Sequence, residues 1–196
     1  GSGGKRGKYM PIRGMYMPIR GSYMPIRGEG GVSNALTMMA GVLLPGAEEE
    51  GEAIADIFPD AELVTGKEAT KARLLASGRD CDLLHIATHG YADPDFPEFS
   101  GLLLAGKDGD TRYEVLTAGE VYTWPLAARV VALSACQTAL GKDVEGEGLL
   151  GLSRAFIYAG AQDVLCSLWP VSDESTKILM AWLYENLAEG QTVEDA

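Results

Sequence analysis

Arg129-Val-Val-Ala-Leu-Ser-Ala-Cys136-Gln-Thr-Ala-Leu-Gly141 is the stretch that decides the fold of this chain. Its first half is an unbroken run of β-branched and small apolar residues. The run is short enough for a strand and too uniformly apolar to face water on either side, which predicts a central strand covered on both faces. Cys136 stands where that strand ends. The segment Cys81-Asp-Leu-Leu-His-Ile-Ala-Thr-His89-Gly90 has the same grammar: a buried strand closed by a histidine and by the residue that lets backbone turn sharply. If the two strands are parallel neighbours, their ends lie on the edge where open α/β sheets hold their ligands. A thiol and an imidazole then share one crevice.

That pairing has chemical use, because a cysteine becomes a good nucleophile near neutral pH once an imidazole is close. Attack on a peptide carbonyl also needs donors for the oxyanion, and the backbone N–H groups of Gly90 and Cys136 are the candidates at such strand ends. The motifs continue in order: His-Ile-Ala-Thr-His89-Gly90, Leu-Ser-Ala-Cys136-Gln-Thr, Gly146-Glu-Gly148-Leu-Leu-Gly-Leu-Ser-Arg-Ala-Phe-Ile-Tyr-Ala-Gly-Ala, and Ser167-Leu-Trp169-Pro-Val-Ser-Asp173. This series resembles the CHAT family of caspase-like cysteine peptidases, over residues 43–196. The resemblance implies a caspase-like three-layer α/β/α sandwich with a mostly parallel central sheet, and a Cys–His dyad at Cys136 and His89. It further implies that the loop after the fourth motif's strand helps to build the substrate groove, with Trp169 as an apolar wall and Asp173 as a counter-charge for a basic side chain. It implies a protein or peptide substrate, no cofactor and no metal, and a helical-repeat or sensor partner that gates the domain. Relative to the family, the chain is expected to be truncated at both ends.

Composition narrows the partners. All six basic residues before Glu29 (Lys5, Arg6, Lys8, Arg13, Arg20 and Arg27) lie in a tail without acids, and the rest carries 28 acids against 10 bases. Such a body is a poor nucleic-acid binder and a plausible host for basic ligands. The three cysteines lack metal-ligand spacing, so neither a disulfide framework nor zinc is expected, and a reduced cytoplasmic setting is the simplest reading. No window reaches transmembrane length; the most apolar run, 32–44, is short and interrupted by Ser33, Asn34 and Thr37.

The chain divides into a tail, 1–30, and one domain, 31–196. Gly-Ser-Gly-Gly at the start reads as a cloning remnant. The tail holds the repeat Tyr-Met-Pro-Ile-Arg-Gly, beginning at Tyr9, Tyr16 and Tyr23, whose prolines and glycines exclude a continuous helix and predict a flexible segment. Beyond it, Ala47, Gly51, Ile54 and Phe58 recur at helical spacing, and residues 61–65 read as a short strand. Thr65-Gly-Lys-Glu68 has the form of a capping box opening a helix with Ala69, Ala72 and Leu75 inward, closed by Gly78. Residues 101–106 predict a strand, followed by a hairpin-type turn at 107–110, and Thr117-Ala-Gly-Glu120 is a second capping-box pattern. A helix over 149–159 ending at Gly160, a strand over 162–168, and a last helix ending at Gly190 complete the alternation of a parallel sheet covered on both faces.

Each singled-out residue also has a structural reading. His85 shares the strand parity of His89 but lies inside the strand, so a satisfied structural histidine is expected there. Cys81 and Cys166 read as inert thiols. Asp173 also serves as a helix cap, and Asp93, Asp95, Glu98, Glu145 and Glu147 as solvated loop acids. Gly146-Glu-Gly148-Leu-Leu-Gly151 formally satisfies the dinucleotide fingerprint, yet about ten residues separate it from the Cys136 strand and no acid follows at the ribose-binding distance. Its glycines are expected instead to shape the loop after Cys136, with Gly151 allowing close helix packing. The function expected is that of a cysteine endopeptidase cutting after basic residues; the alternative is a catalytically silent caspase-like regulatory module.

Overall fold

The computed structural model describes residues 15–16, 45–58, 60–79, 81–91, 93, 96–107, 113–134, 147–166 and 173–196. Strands β1 (Met15–Tyr16), β2 (Glu62–Leu63), β3 (Leu83–Ala87), β4 (Gly90–Tyr91), β5 (Gly101–Ala105), β6 (Tyr113–Thr117), β7 (Val130–Ser134) and β8 (Asp163–Cys166) alternate with helices α1 (Pro45–Ile57), α2 (Lys71–Ser77), α3 (Ala118–Val121), α4 (Glu147–Ala159) and α5 (Asp173–Ala188). Val130–Ser134 is the centre of a sheet. β7 pairs in parallel with β3 on one side and with β8 on the other.

Both faces of that sheet are covered, which is why its strands are continuously apolar. On one face Leu84, Ile86, Val131 and Leu133 pack against Leu74 of α2 and Leu152, Ala155 and Phe156 of α4. On the other, Leu83 and Ala132 meet Ile54 of α1, Phe58 just beyond it, and Met180, Leu183, Tyr184 and Leu187 of α5. Successive side chains of a strand point to opposite faces, so one strand feeds both layers. Each fully buried Leu, Ile or Phe in these layers is worth roughly 2 kcal/mol of transfer free energy. The architecture is the three-layer α/β/α arrangement expected from the sequence. The strand predicted over 101–106 joins a different sheet, antiparallel β4–β5–β6, in which β5 and β6 form the hairpin. The turn predicted at 107–110 falls mostly outside the described residues. Met15–Tyr16, in the repeat tail, pairs in parallel with β2.

The two capping-box patterns part ways. At Thr117 both reciprocal bonds form: the Glu120 N–H donates to Thr117 Oγ1 (3.3 Å) and the Thr117 N–H donates to Glu120 Oε2 (3.0 Å). Thr65-Gly-Lys-Glu68 instead makes a short 3₁₀ turn over Gly66–Glu68 without a side-chain cap, and the helix starts later, capped by Thr70. The cause is Gly66, whose φ of +57° cannot belong to a right-handed helix. Accordingly Leu74, rather than Ala72, is the buried residue of α2. Gly78 closes that helix as predicted, and its missing Cβ makes room for Trp124: a Cβ there would stand 2.2 Å from the indole Cζ2. The indole N–H donates to the Leu75 carbonyl (3.1 Å), and the ring meets Phe156 edge-on.

Burial pushes the Glu120 carboxyl up, but the Lys71 ammonium (2.7 Å) and the Thr117 donors outweigh it and hold its pKa below the ordinary value. The contribution is therefore present above the usual carboxylate pKa and is lost as pH falls through the lowered one. Thr117→Ala is expected to cost about 1 kcal/mol, or roughly 3 °C in the thermal midpoint. A midpoint unchanged at neutral pH would deny the cap any net value.

Candidate active site

His89 lies between the end of β3 and the start of β4, and β5 holds it there. Thr88 Oγ1 donates to the Leu103 carbonyl, and the Leu103 N–H donates to the His89 carbonyl (2.9 Å). His89 is only 1% exposed. Gly90 lies opposite Leu102, and since Leu103 reaches the His89 carbonyl, the pair is of the non-hydrogen-bonded kind. The Gly90 N–H therefore points away from β5.

The register of the parallel sheet levels the strand ends. Ala87 stands opposite Ser134, and Leu133 opposite Cys166, so β3, β7 and β8 all finish at one edge. Cys136, two residues beyond Ser134 in sequence, lies outside the described residues, as does Trp169. Asp173 is the first residue of α5. Of the five predicted site residues, the structure thus places His89 and Gly90 at the sheet edge and Asp173 at a helix start.

Other expectations change or gain detail. Asp93 is buried and structural: its N–H donates to Ser100 Oγ (2.9 Å), and its Oδ1 accepts from the Phe96 N–H (2.9 Å), fixing the loop after His89. Gly148 and Gly151 lie within α4, so Gly148 belongs to the helix and not to the preceding loop. Cys81 is buried, and half-buried Cys166 has its Sγ 3.2 Å from Ser153 Oγ.

His85 is fully buried, as expected of a structural histidine, but the company it keeps was not legible. Its Nδ1 is 2.7 Å from Tyr184 Oη, and its Nε2 is 3.4 Å from Oε1 of Glu50, itself 5% exposed. Glu50 Oε2 accepts from Ser134 Oγ (3.1 Å). Burial, and after it the Glu50 charge, push the Tyr184 pKa well above its ordinary value, so this hydroxyl keeps its proton. The available signal was the position of Glu50 inside the apolar stripe Ala47, Gly51, Ile54, Phe58, where a solvated carboxylate has no place.

Residues 31–196 match the CHAT domain. The chain belongs to the CHAT domain family. Among curated proteins this CHAT domain is similar to the proteins named Tetratricopeptide repeat protein 28 of Mus musculus and of Homo sapiens. Each is 29% identical over 178 residues, covering 75% of this chain and 7% of the relative. The CHAT chain thus spans a small fraction of the length of those relatives. The family is related to caspase-like cysteine peptidases, in keeping with the parallel sheet and its paired layers of helices. Among the described residues no helix is long and apolar enough to cross a membrane.

Proposed function

We propose that this CHAT domain is a cysteine endopeptidase. Cys136 attacks the scissile carbonyl, forming the C–S bond. The Gly90 and Cys136 N–H groups hold the oxyanion, and His89 gives its proton to the amine as the C–N bond breaks. Water, deprotonated by the same imidazole, then cleaves the thioester. The observation that carries this reading is the register. Ala87 and Ser134 are opposite each other, and His89 and Cys136 each follow by two residues, a reach of about 7 Å. The outward Gly90 N–H and the grip of β5 on Thr88 and His89 support it further. A thiol-reactive peptide ketone should label the wild-type chain and leave Cys136→Ala unlabelled.

The near-complete burial of His89 favours a second reading, a silent caspase-like module. A folded chain that resists the ketone would establish it. The names of the relatives support a helical-repeat partner that gates the domain, and the reduced thiols inferred from the sequence suit a cytoplasmic setting.

Cleavage after basic residues follows from charge. From Glu29 onward the chain holds 28 acids against 10 bases, and Asp173, with Trp169 as an apolar wall, lies in the segment proposed to border the groove. A carboxylate in a desolvated pocket selects the guanidinium fork. The tail offers Arg13-Gly14, Arg20-Gly21 and Arg27-Gly28. Mass spectrometry of the incubated chain is expected to find ends at these arginines, absent in Cys136→Ala. A peptide-library preference for Asp or a large apolar residue, with an intact tail, would defeat the assignment.

A further inference from the structure

We propose, building on the peptidase reading, that Glu50, His85, Tyr184 and Ser134 form a buried positioning device. It sets the Cys136 end of β7 against the His89 end of β3 and the start of α5. The four residues come from α1, β3, α5 and β7; Glu50 accepts from Ser134 and lies 3.4 Å from Nε2 of His85, whose Nδ1 is bonded to Tyr184. Main-chain pairing of β3 with β7 stops at Ala87 and Ser134. In sequence, His89 and Cys136 each follow two residues after these last paired positions, past the end of the ladder. Ser134 is the last residue held by the ladder, and its hydroxyl is tied to Glu50. His85 lies in β3, four residues before His89 in sequence. Tyr184 lies three turns into the helix that Asp173 opens.

The distances are compatible with the following proton arrangement. Glu50, as a carboxylate, accepts from the Ser134 hydroxyl and faces the Nε2–H of His85. Nδ1 then carries a lone pair and accepts from Tyr184, whose hydroxyl stays protonated. In this arrangement the donors run in one direction, from Tyr184 through His85 toward Glu50 and from Ser134 to Glu50. Burying such a group costs desolvation that an apolar core of the same volume would avoid. What the polar arrangement adds is a unique geometry, and the groups it fixes are those that lead into the proposed site.

The test uses the full chain, a fluorogenic peptide with Arg before the cut, and iodoacetamide alkylation of Cys136 followed by mass spectrometry. Ser134→Ala is expected to lower kcat about tenfold with KM nearly unchanged, since displaced reacting groups cost rate more than binding. Ser134→Thr, which keeps the hydroxyl, should restore kcat. Glu50→Gln and Tyr184→Phe should act in the same direction, and Ser134→Ala added to Glu50→Gln should cost little more, as befits one unit. Should the Glu50 variant fail to fold, the Ala and Thr variants of half-buried Ser134 decide the matter. A folded Ser134→Ala chain with wild-type kcat overturns the proposal while leaving the peptidase reading intact. So does a loss that Thr fails to repair. A wild-type chain that neither hydrolyses the peptide nor shows enhanced alkylation of Cys136 over Cys166 overturns both.

Discussion

On the proposed peptidase mechanism, Cys136→Ala and His89→Ala are each expected to remove peptide hydrolysis, with losses on the order of a thousandfold or more, because there nucleophile and proton donor act as a unit. The two variants should differ in stability. Cys136 lies beyond the paired part of β7, and its loss is expected to leave the thermal midpoint close to that of the wild type. His89 is almost wholly buried, and trimming it to alanine removes packing as well as chemistry. A cost of about 1–2 kcal/mol is expected there. His89→Gln keeps most of the volume and separates the two effects: activity should stay absent while stability largely returns. Substantial hydrolysis by a folded His89→Gln chain would remove His89 from the mechanism.

The second large effect is on stability. Gly101→Ala should destabilise the chain by roughly 3 kcal/mol or more, about 10 °C in the thermal midpoint. An added Cβ would stand 2.3 Å from the Leu116 carbonyl oxygen and 2.9 Å from its carbon, both backbone atoms of the strand paired with β5. Neither can withdraw without breaking the ladder. Gly119→Ala is the matched control, for its nearest neighbour would be 3.5 Å away, an ordinary contact, and alanine suits α3 better than glycine. Equal midpoints for the two variants would mean that β5 and β6 separate easily. Gly78→Ala is expected to be destabilising as well, since its Cβ would stand 2.2 Å from the buried, hydrogen-bonded indole of Trp124.

How much of this was legible in the sequence depends on the range of the interaction concerned. β3 and β7 were visible because a strand covered on both faces needs an unbroken apolar run. Thr117 was legible as a cap because its partner, Glu120, is three residues away. The false cap at Thr65 shows the limit of that local grammar: the letters were right, but Gly66 adopted a left-handed backbone conformation that no pattern of side chains announces. The sheet to which β5 belongs was a question of pairing, and the sequence pattern of a buried strand is the same in either sheet. The buried polar cluster was hardest to foresee. Ser134 and Glu50 are 84 residues apart, and His85 and Tyr184 are 99 apart, so no window of sequence contains either pair. Only the misplaced charge of Glu50 within an apolar stripe hinted at it. Cys136 and His89 were proposed from the residue types at two strand ends; the structure describes His89, and Cys136 lies outside the described residues.

The notch that Gly78 leaves for Trp124 has a spectroscopic consequence. Trp124 is 4% exposed, its N–H is committed to a carbonyl, and its ring is wedged between α2 and α4, whereas Trp182 on α5 is 57% exposed. An indole held in an apolar slot emits to the blue of one in water. Trp124 thus carries a built-in optical record of whether the layer on its side of the sheet is assembled, while Trp182, already wetted, responds to whatever covers the outer face of α5. In a chain with Trp169 replaced, substituting the two remaining indoles one at a time would let the emission spectrum distinguish unfolding of the core from the docking of a partner.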